Sequence, residues 1–236
     1  MISTIIERWG DRVKLKPVYS PEDLEQRVQE AGFLPFFTHK GAGMSVQECT
    51  PPELWFAPDR DGPWEWKGPV IRTGSCLYGK FFGGKCGFVR ADWFPDLANV
   101  RRDGYDFDSL YEEGLAPRKD KQIYDALTAG EPILSSALKA ACGYGKGGNT
   151  GFDTVMTRLQ AETYAVVEDF VYRQDQFGRP YGWGVARYAT PEKLFGYDTV
   201  TAAYSRSPDE SRGRLMTCLR ERWPEIDPAV LSRLIG

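Results

Sequence analysis

Histidine is nearly missing from this sequence: His39 is the only one among 236 residues. A lone imidazole argues against a Cys/His zinc site, and no HExxH pattern or Ser/His/Asp signature is present. The cysteines, Cys49, Cys76, Cys86, Cys142 and Cys218, are odd in number and never spaced as CxxC. Buried thiols in a reducing compartment are the better reading, with Cys76 and Cys86 flanking an expected hairpin and placed to be near neighbours. An excess of positive charge is missing as well. Thirty basic residues face thirty-three acidic ones, for a net charge of −3, which counts against a non-specific nucleic-acid coat protein. No apolar run approaches the length of a membrane span and the first residues lack a signal-peptide core, so a soluble cytoplasmic chain without membrane partners is expected. Neither a metal nor a cofactor is expected.

What is present concentrates between Pro117 and Thr190. PRKDKQIYDALTAGEP reads as a helix with Ile123, Tyr124 and Leu127 on one face and Gly130 and Pro132 as stops. LSSALKAACG reads as a second helix, capped by Ser135 or Ser136 and ended by a left-handed Gly143. TGFDTVMTRLQAETY reads as a third, with Phe152, Val155, Met156 and Leu159 at i, i+3, i+4 and i+7. The period then changes. AVVEDFVYRQ and YGWGVARYA are β-rich runs around the turn DQFGRP, which predicts a hairpin. Three helices and a hairpin make a winged helix-turn-helix, with the third helix offered to a DNA groove and the hairpin as its wing.

The remaining chain divides around this unit. Residues 1–19 form an N-terminal arm, 20–116 a small mixed α/β domain, 117–190 the winged-helix unit, and 191–236 helices packed on it. The fold class is therefore α+β. Ser20-Pro21 predicts a helix that ends at Gly32, and FLPFFTH a buried connection. Residues 41–63, with four prolines, predict a loop pinned to a core by Trp55 and Phe56. WEWKGPVIR, SCLYGKFF and KCGFVR predict an antiparallel meander, followed by a helix entered at Asp92 and a short one over FDSLYEEG. Thr190-Pro191, Ser207-Pro208 and Asp227-Pro228 each set a capping side chain before proline, and Ser207 with Glu210 makes a capping box.

Candidate binding residues follow from the predicted unit. Thr154, Thr157 and Arg158 lie on the third helix away from its apolar stripe, and suit base or phosphate contacts with double-stranded DNA. Arg173 and Arg179 on the hairpin, and Lys146 in the loop Gly143–Gly148, would reach phosphates. That glycine-rich loop is not a phosphate loop, since no strand precedes it and no Gly-Lys-Ser/Thr opens the next helix. From Lys67 to Arg102, seven basic residues interleave with aromatics against two acids. Such mixing suits phosphate and base contacts, but the alternation favours a sheet with an aromatic inner face and a solvated basic outer one. No catalytic residue is assigned. An enzyme and a non-enzymatic packing module stay open beside the DNA-binding reading.

The phrases Pro63-Trp64-Glu65-Trp66, Tyr78-Gly79-Lys80-Phe81-Phe82, Gly104-Tyr105-Asp106-Phe107-Asp108, Tyr181-Gly182-Trp183 and Thr190-Pro191-Glu192 together resemble the AlkZ-related family, from about Ser20 onward. The resemblance implies kinship with AlkZ-type DNA glycosylases, which are built from tandem winged helices and excise alkylated bases. Those enzymes position water with a Gln-x-Gln or Gln-x-Asp motif whose middle residue is apolar. Here the formal match is Gln174-Asp175-Gln176, with a charged middle residue at the expected wing tip, and it reads as coincidence. The chain is also shorter than the glycosylases.

Overall fold

The computed structural model describes residues 16–39 and 42–236. Most of the expected arm, residues 1–15, and part of the expected loop lie outside the described residues. Helix α1 (Pro21–Ala31) starts where Ser20 Oγ accepts the Asp23 N–H at 3.1 Å and stops at Gly32, whose φ of 76° favours glycine. Strand β1 (Phe33–Pro35) follows where a plain connection was expected. It is buried and pairs with the sheet edge, Phe33 opposite Val89. A short helix α2 (Val46–Cys49) interrupts the proline-rich stretch. Trp55 packs against the core as expected, but Phe56 does not, being 77% exposed.

Residues 63–72 correct the sequence reading. WEWKGPVIR is helix α3 (Pro63–Arg72), not a strand. Pro63 opens it, and the Glu65 carboxylate takes the Gly62 N–H at 3.0 Å. Pro63, Trp66, Lys67, Val70 and Ile71 are buried, at i, i+3, i+4, i+7 and i+8, which is a helix face. β-Branched and aromatic composition hid that period. Pro69 falls on the exposed side.

Strands β2 (Cys76–Phe82) and β3 (Lys85–Arg90) form the expected hairpin, and its turn residues Gly83 and Gly84 both take positive φ, 59° and 78°. Cys76 faces Arg90 across the pair, which separates it from Cys86, and both thiols are unbridged. A 3-10 turn at Ala91–Trp93 leads into α4 (Phe94–Arg102), and α5 (Phe107–Glu112) follows.

The region around the expected winged helix contains α6 (Arg118–Thr128), β4 (Ile133–Leu134), α7 (Ser135–Ala141), α8 (Phe152–Ala161) and the hairpin β5 (Val166–Gln174) with β6 (Pro180–Ala189). Ile133 pairs with Tyr188, so β4 adds to the hairpin. This order and pairing are compatible with a winged helix-turn-helix. α7 differs in one detail: Leu134 holds the capping position, and neither Ser135 nor Ser136 caps. Ile123, Leu127, Leu138, Phe152, Val155, Met156 and Leu159 close one core with Phe107 and Tyr164.

The sheet does not stop at this unit. Tyr78 of β2 pairs with Val167 of β5, giving one antiparallel sheet of six strands in the order β1-β3-β2-β5-β6-β4. Four further helices among the described residues are α9 (Pro191–Phe195), α10 (Tyr197–Val200), α11 (Pro208–Arg222) and α12 (Pro228–Ile235). Thr190, Ser207 and Asp227 cap as expected. α11 and α12 bury Leu215, Leu219, Leu231 and Leu234 in one core with Phe33, Phe82 and Leu97.

The basic stretch from Lys67 to Arg102 divides: Lys85 on β3 is exposed, whereas Arg101 and Arg102 at the end of α4 are packed. The Arg102 guanidinium is 1% exposed, donates to Thr163 O at 2.6 Å and pairs with Glu192 at 2.5 Å. Arg101 donates to Ala161 O at 2.7 Å and Ile235 O at 2.9 Å, joining the ends of α8 and α12. Both arginines supply the donors that helix C-termini lack.

Candidate functional site

The residues singled out on α8 have unequal surroundings. Thr154 is exposed. Thr157 Oγ1 donates to Asp153 O at 2.6 Å and accepts from Lys80 Nζ at 2.8 Å, so the β2–β3 turn lies against this part of the helix. Arg158 makes a two-pronged pair with Asp120, Nε to Oδ2 and a second nitrogen to Oδ1, both at 2.5 Å. The Asp120 side chain is 1% exposed and sits on α6. Arg158 thus ties two helices of the unit together, and the paired carboxylate raises its pKa further.

Lys146 is exposed in a loop held by Asn149, whose Nδ2 donates to Cys142 O at 2.9 Å. Arg173 and Arg179 are exposed on the hairpin, and the Arg179 guanidinium stands 5.5 Å from the Phe177 ring centre. At the hairpin turn, Asp175 Oδ1 accepts the Phe177 and Arg179 N–H groups at 2.8 and 2.9 Å. The middle residue of Gln174-Asp175-Gln176 is therefore occupied in holding the turn. The six candidates lie on α8, on the loop before it and on the β5–β6 hairpin.

A concave site lies elsewhere, where α3 and the loop before it face the β5–β6 hairpin. This cleft measures about 630 Å³. α3 contributes Trp64, Glu65, Gly68, Pro69 and Arg72; the loop contributes Trp55, Phe56, Arg60 and Asp61; the hairpin contributes Phe170, Tyr172, Tyr181 and Trp183. The hairpin wall depends on a bulge. Between Val171 and Arg173 the register slips, with Val185 and Tyr181 opposite them, and Gly182 takes φ 74°. Gly184 lies so close to Phe170 and Tyr172 that a Cβ built on it meets their atoms at 3.0 and 2.9 Å. Bulge and glycine together bring Trp183 to an edge-to-face contact with Trp64, 5.5 Å between ring centres.

Trp183 remains 69% exposed and Tyr181 51% exposed on this rim. Behind them the rings are packed: Trp55 meets Trp64 at 5.6 Å and Phe36 meets both at 5.5 and 5.4 Å. Trp64 Nε1 is buried and has no hydrogen-bond partner among the described residues. Arg72 pairs with Asp169 at 2.7 Å across the mouth, and Tyr172 Oη donates to Trp64 O at 3.3 Å. Burial pushes the Tyr172 phenol up to about 12, so it stays a neutral donor.

Sequence reasoning missed this cleft because its α3 wall was read as a strand. The signal was available in the five buried positions of helical spacing over residues 63–71, and in Tyr181-Gly182-Trp183, a β-rich run broken by a glycine.

His39 is half-buried with its ring 6.5 Å from that of Phe82, and burial lowers its pKa. No group of three His, Cys, Asp or Glu side chains suited to a metal occurs among the described residues. Likewise, no helix among them is long and apolar enough to cross a membrane.

These features define an α+β protein with one open antiparallel sheet and an aromatic cleft against its exposed hairpin. The chain belongs to the AlkZ-related family, which it matches over residues 18–236. Comparisons with curated proteins and with solved structures give no match.

Proposed function

We propose that this protein binds double-stranded DNA, with the β5–β6 hairpin against the backbone and an unstacked base taken into the aromatic cleft. The observation that carries this reading is Trp183: an indole 69% exposed, at the mouth of a ring-lined cleft. Stacking on such rings holds a base regardless of its identity, and contributes about 1–3 kcal/mol per base. Exposed Arg173 and Arg179 on the same hairpin supply phosphate contacts, and Lys146 and Thr154 are further exposed polar groups on the three-helix unit. Kinship with AlkZ supports the theme of DNA repair and a damaged base as the group received. We place the division of the chain near residue 117, so that the cleft is built by the N-terminal half and the hairpin jointly.

A second reading, excision of the base, draws on Asp61 and Glu65, two carboxylates in the cleft wall. A base taken out of the stack for chemistry needs such a group beside it. Fluorescence anisotropy tests the binding reading, using a duplex either intact or carrying one alkylated purine, over a salt series. Salt-dependent binding that favours the lesion is expected. Absence of binding at low salt, where phosphate contacts are strongest, would contradict the proposal. An excision assay on the lesion duplex, repeated with Glu65→Gln and Asp61→Asn, decides the second reading.

A further inference from the structure

Lys67 is left without a task by the binding reading. It sits on α3, buried to 9% exposure, with Nζ 4.1 Å from the ring centre of Phe170, 5.0 Å from Trp64 and 5.5 Å from Phe36. Trp64 and Phe170 both line the cleft. Among the described residues this ammonium makes no salt bridge or hydrogen bond; three ring faces surround it, and Glu65 and Cys86 favour its charged form less than burial disfavours it. Ring faces offset only part of the cost of burying this charge, so an aliphatic side chain of the same length would suit the place better for stability. A desolvated lysine is, however, an activated nucleophile.

We propose that Lys67 is an amine nucleophile that captures an aldehyde, namely the ring-opened C1′ carbon of an abasic deoxyribose, as an imine. This rests on the DNA-binding reading, since the aldehyde arrives as part of a DNA strand with its missing base at the cleft. The Nζ lone pair attacks the carbonyl carbon and forms a carbinolamine. The carbonyl oxygen then leaves as water with the two amine hydrogens, and a C=N bond replaces C=O. No oxidant or reductant is consumed. Burial lowers the Lys67 pKa to about 8, which raises the neutral fraction well above that of an ordinary lysine at neutral pH.

Borohydride reduction tests the inference, because it converts such an imine to a stable secondary amine. The whole protein is mixed with a duplex carrying one abasic site, reduced, and resolved by denaturing electrophoresis. A covalent protein–DNA band is expected, mapping to Lys67 by peptide mass and forming faster as pH rises toward 8. Lys67→Met is expected to lose the band to background while melting no lower than the unaltered protein and keeping its anisotropy with the same duplex. No band with the unaltered protein, a band mapping to another amine, or an undiminished band in the variant overturns the proposal. Anisotropy in parallel separates the two readings: binding without a band removes the lysine chemistry alone, whereas no binding removes both.

Discussion

Helix α8 and helix α3 present opposite relations between sequence and use. α8 has the look of a recognition helix, with a clean apolar stripe and Thr154, Thr157 and Arg158 on its other side. Yet Arg158 is held by a buried Asp120, and Thr157 is held by Lys80. α3 has the look of a strand, and it walls the cleft. The polar side of an amphipathic helix is not thereby a free surface. A bidentate arginine next to a buried acid belongs to the fold before it belongs to any ligand.

That contrast can be broken most forcefully at Arg158. Arg158→Ala strands Asp120 and is expected to destabilise the protein by about 3 kcal/mol, read as a lower midpoint in urea unfolding. An unchanged midpoint with lost DNA affinity would instead support a groove-facing role for α8.

Lys67→Met should act in the opposite direction. Burial depresses the folded-state pKa from 10.5 to about 8, so between those values the unfolded chain holds more protons and stability rises with pH. The cost of the buried ammonium is full below pH 8 and relieved as pH climbs toward 10.5. Removing it is expected to stabilise by up to about 3 kcal/mol at pH 7 and to flatten that rise. Urea midpoints of both proteins across pH 7–10.5 give the comparison. Equal pH dependence in the two would show that the ammonium is not buried at a cost.

Smaller effects follow at the hairpin. Arg173→Ala with Arg179→Ala should leave stability within about 0.5 kcal/mol and reduce the slope of log affinity against log salt by about 2. A slope unchanged in the double variant would take the hairpin away from the phosphates.

Much of the architecture was legible. The stripes Phe152-Val155-Met156-Leu159 and Ile123-Leu127 enter the core as their spacing requires, and Ser20, Thr190, Ser207 and Asp227 cap because short polar side chains before proline have few better uses. The class of fold and the hairpin came from the same local rules. Residues 63–72 misled because Trp, Val and Ile favour strands by composition while their spacing was helical, and packing decides such conflicts. The cleft was illegible for a different reason. Trp64 and Trp183 are far apart in sequence, and only the β2–β5 pairing and the Gly182 bulge bring them together. Likewise, nothing local marks Asp120 as the partner of Arg158.

The proposed function turns on the cleft, and Trp183 is the most exposed ring of its hairpin wall. A duplex with one alkylated purine and its intact counterpart, each titrated with the unaltered protein and with Trp183→Ala, give the direct test by anisotropy. The unaltered protein is expected to prefer the lesion, and the variant to lose that preference, with about 1–3 kcal/mol less affinity for the lesion duplex and an unchanged melting temperature. Equal affinity of the unaltered protein for both duplexes, or a preference that survives in the variant, would contradict it.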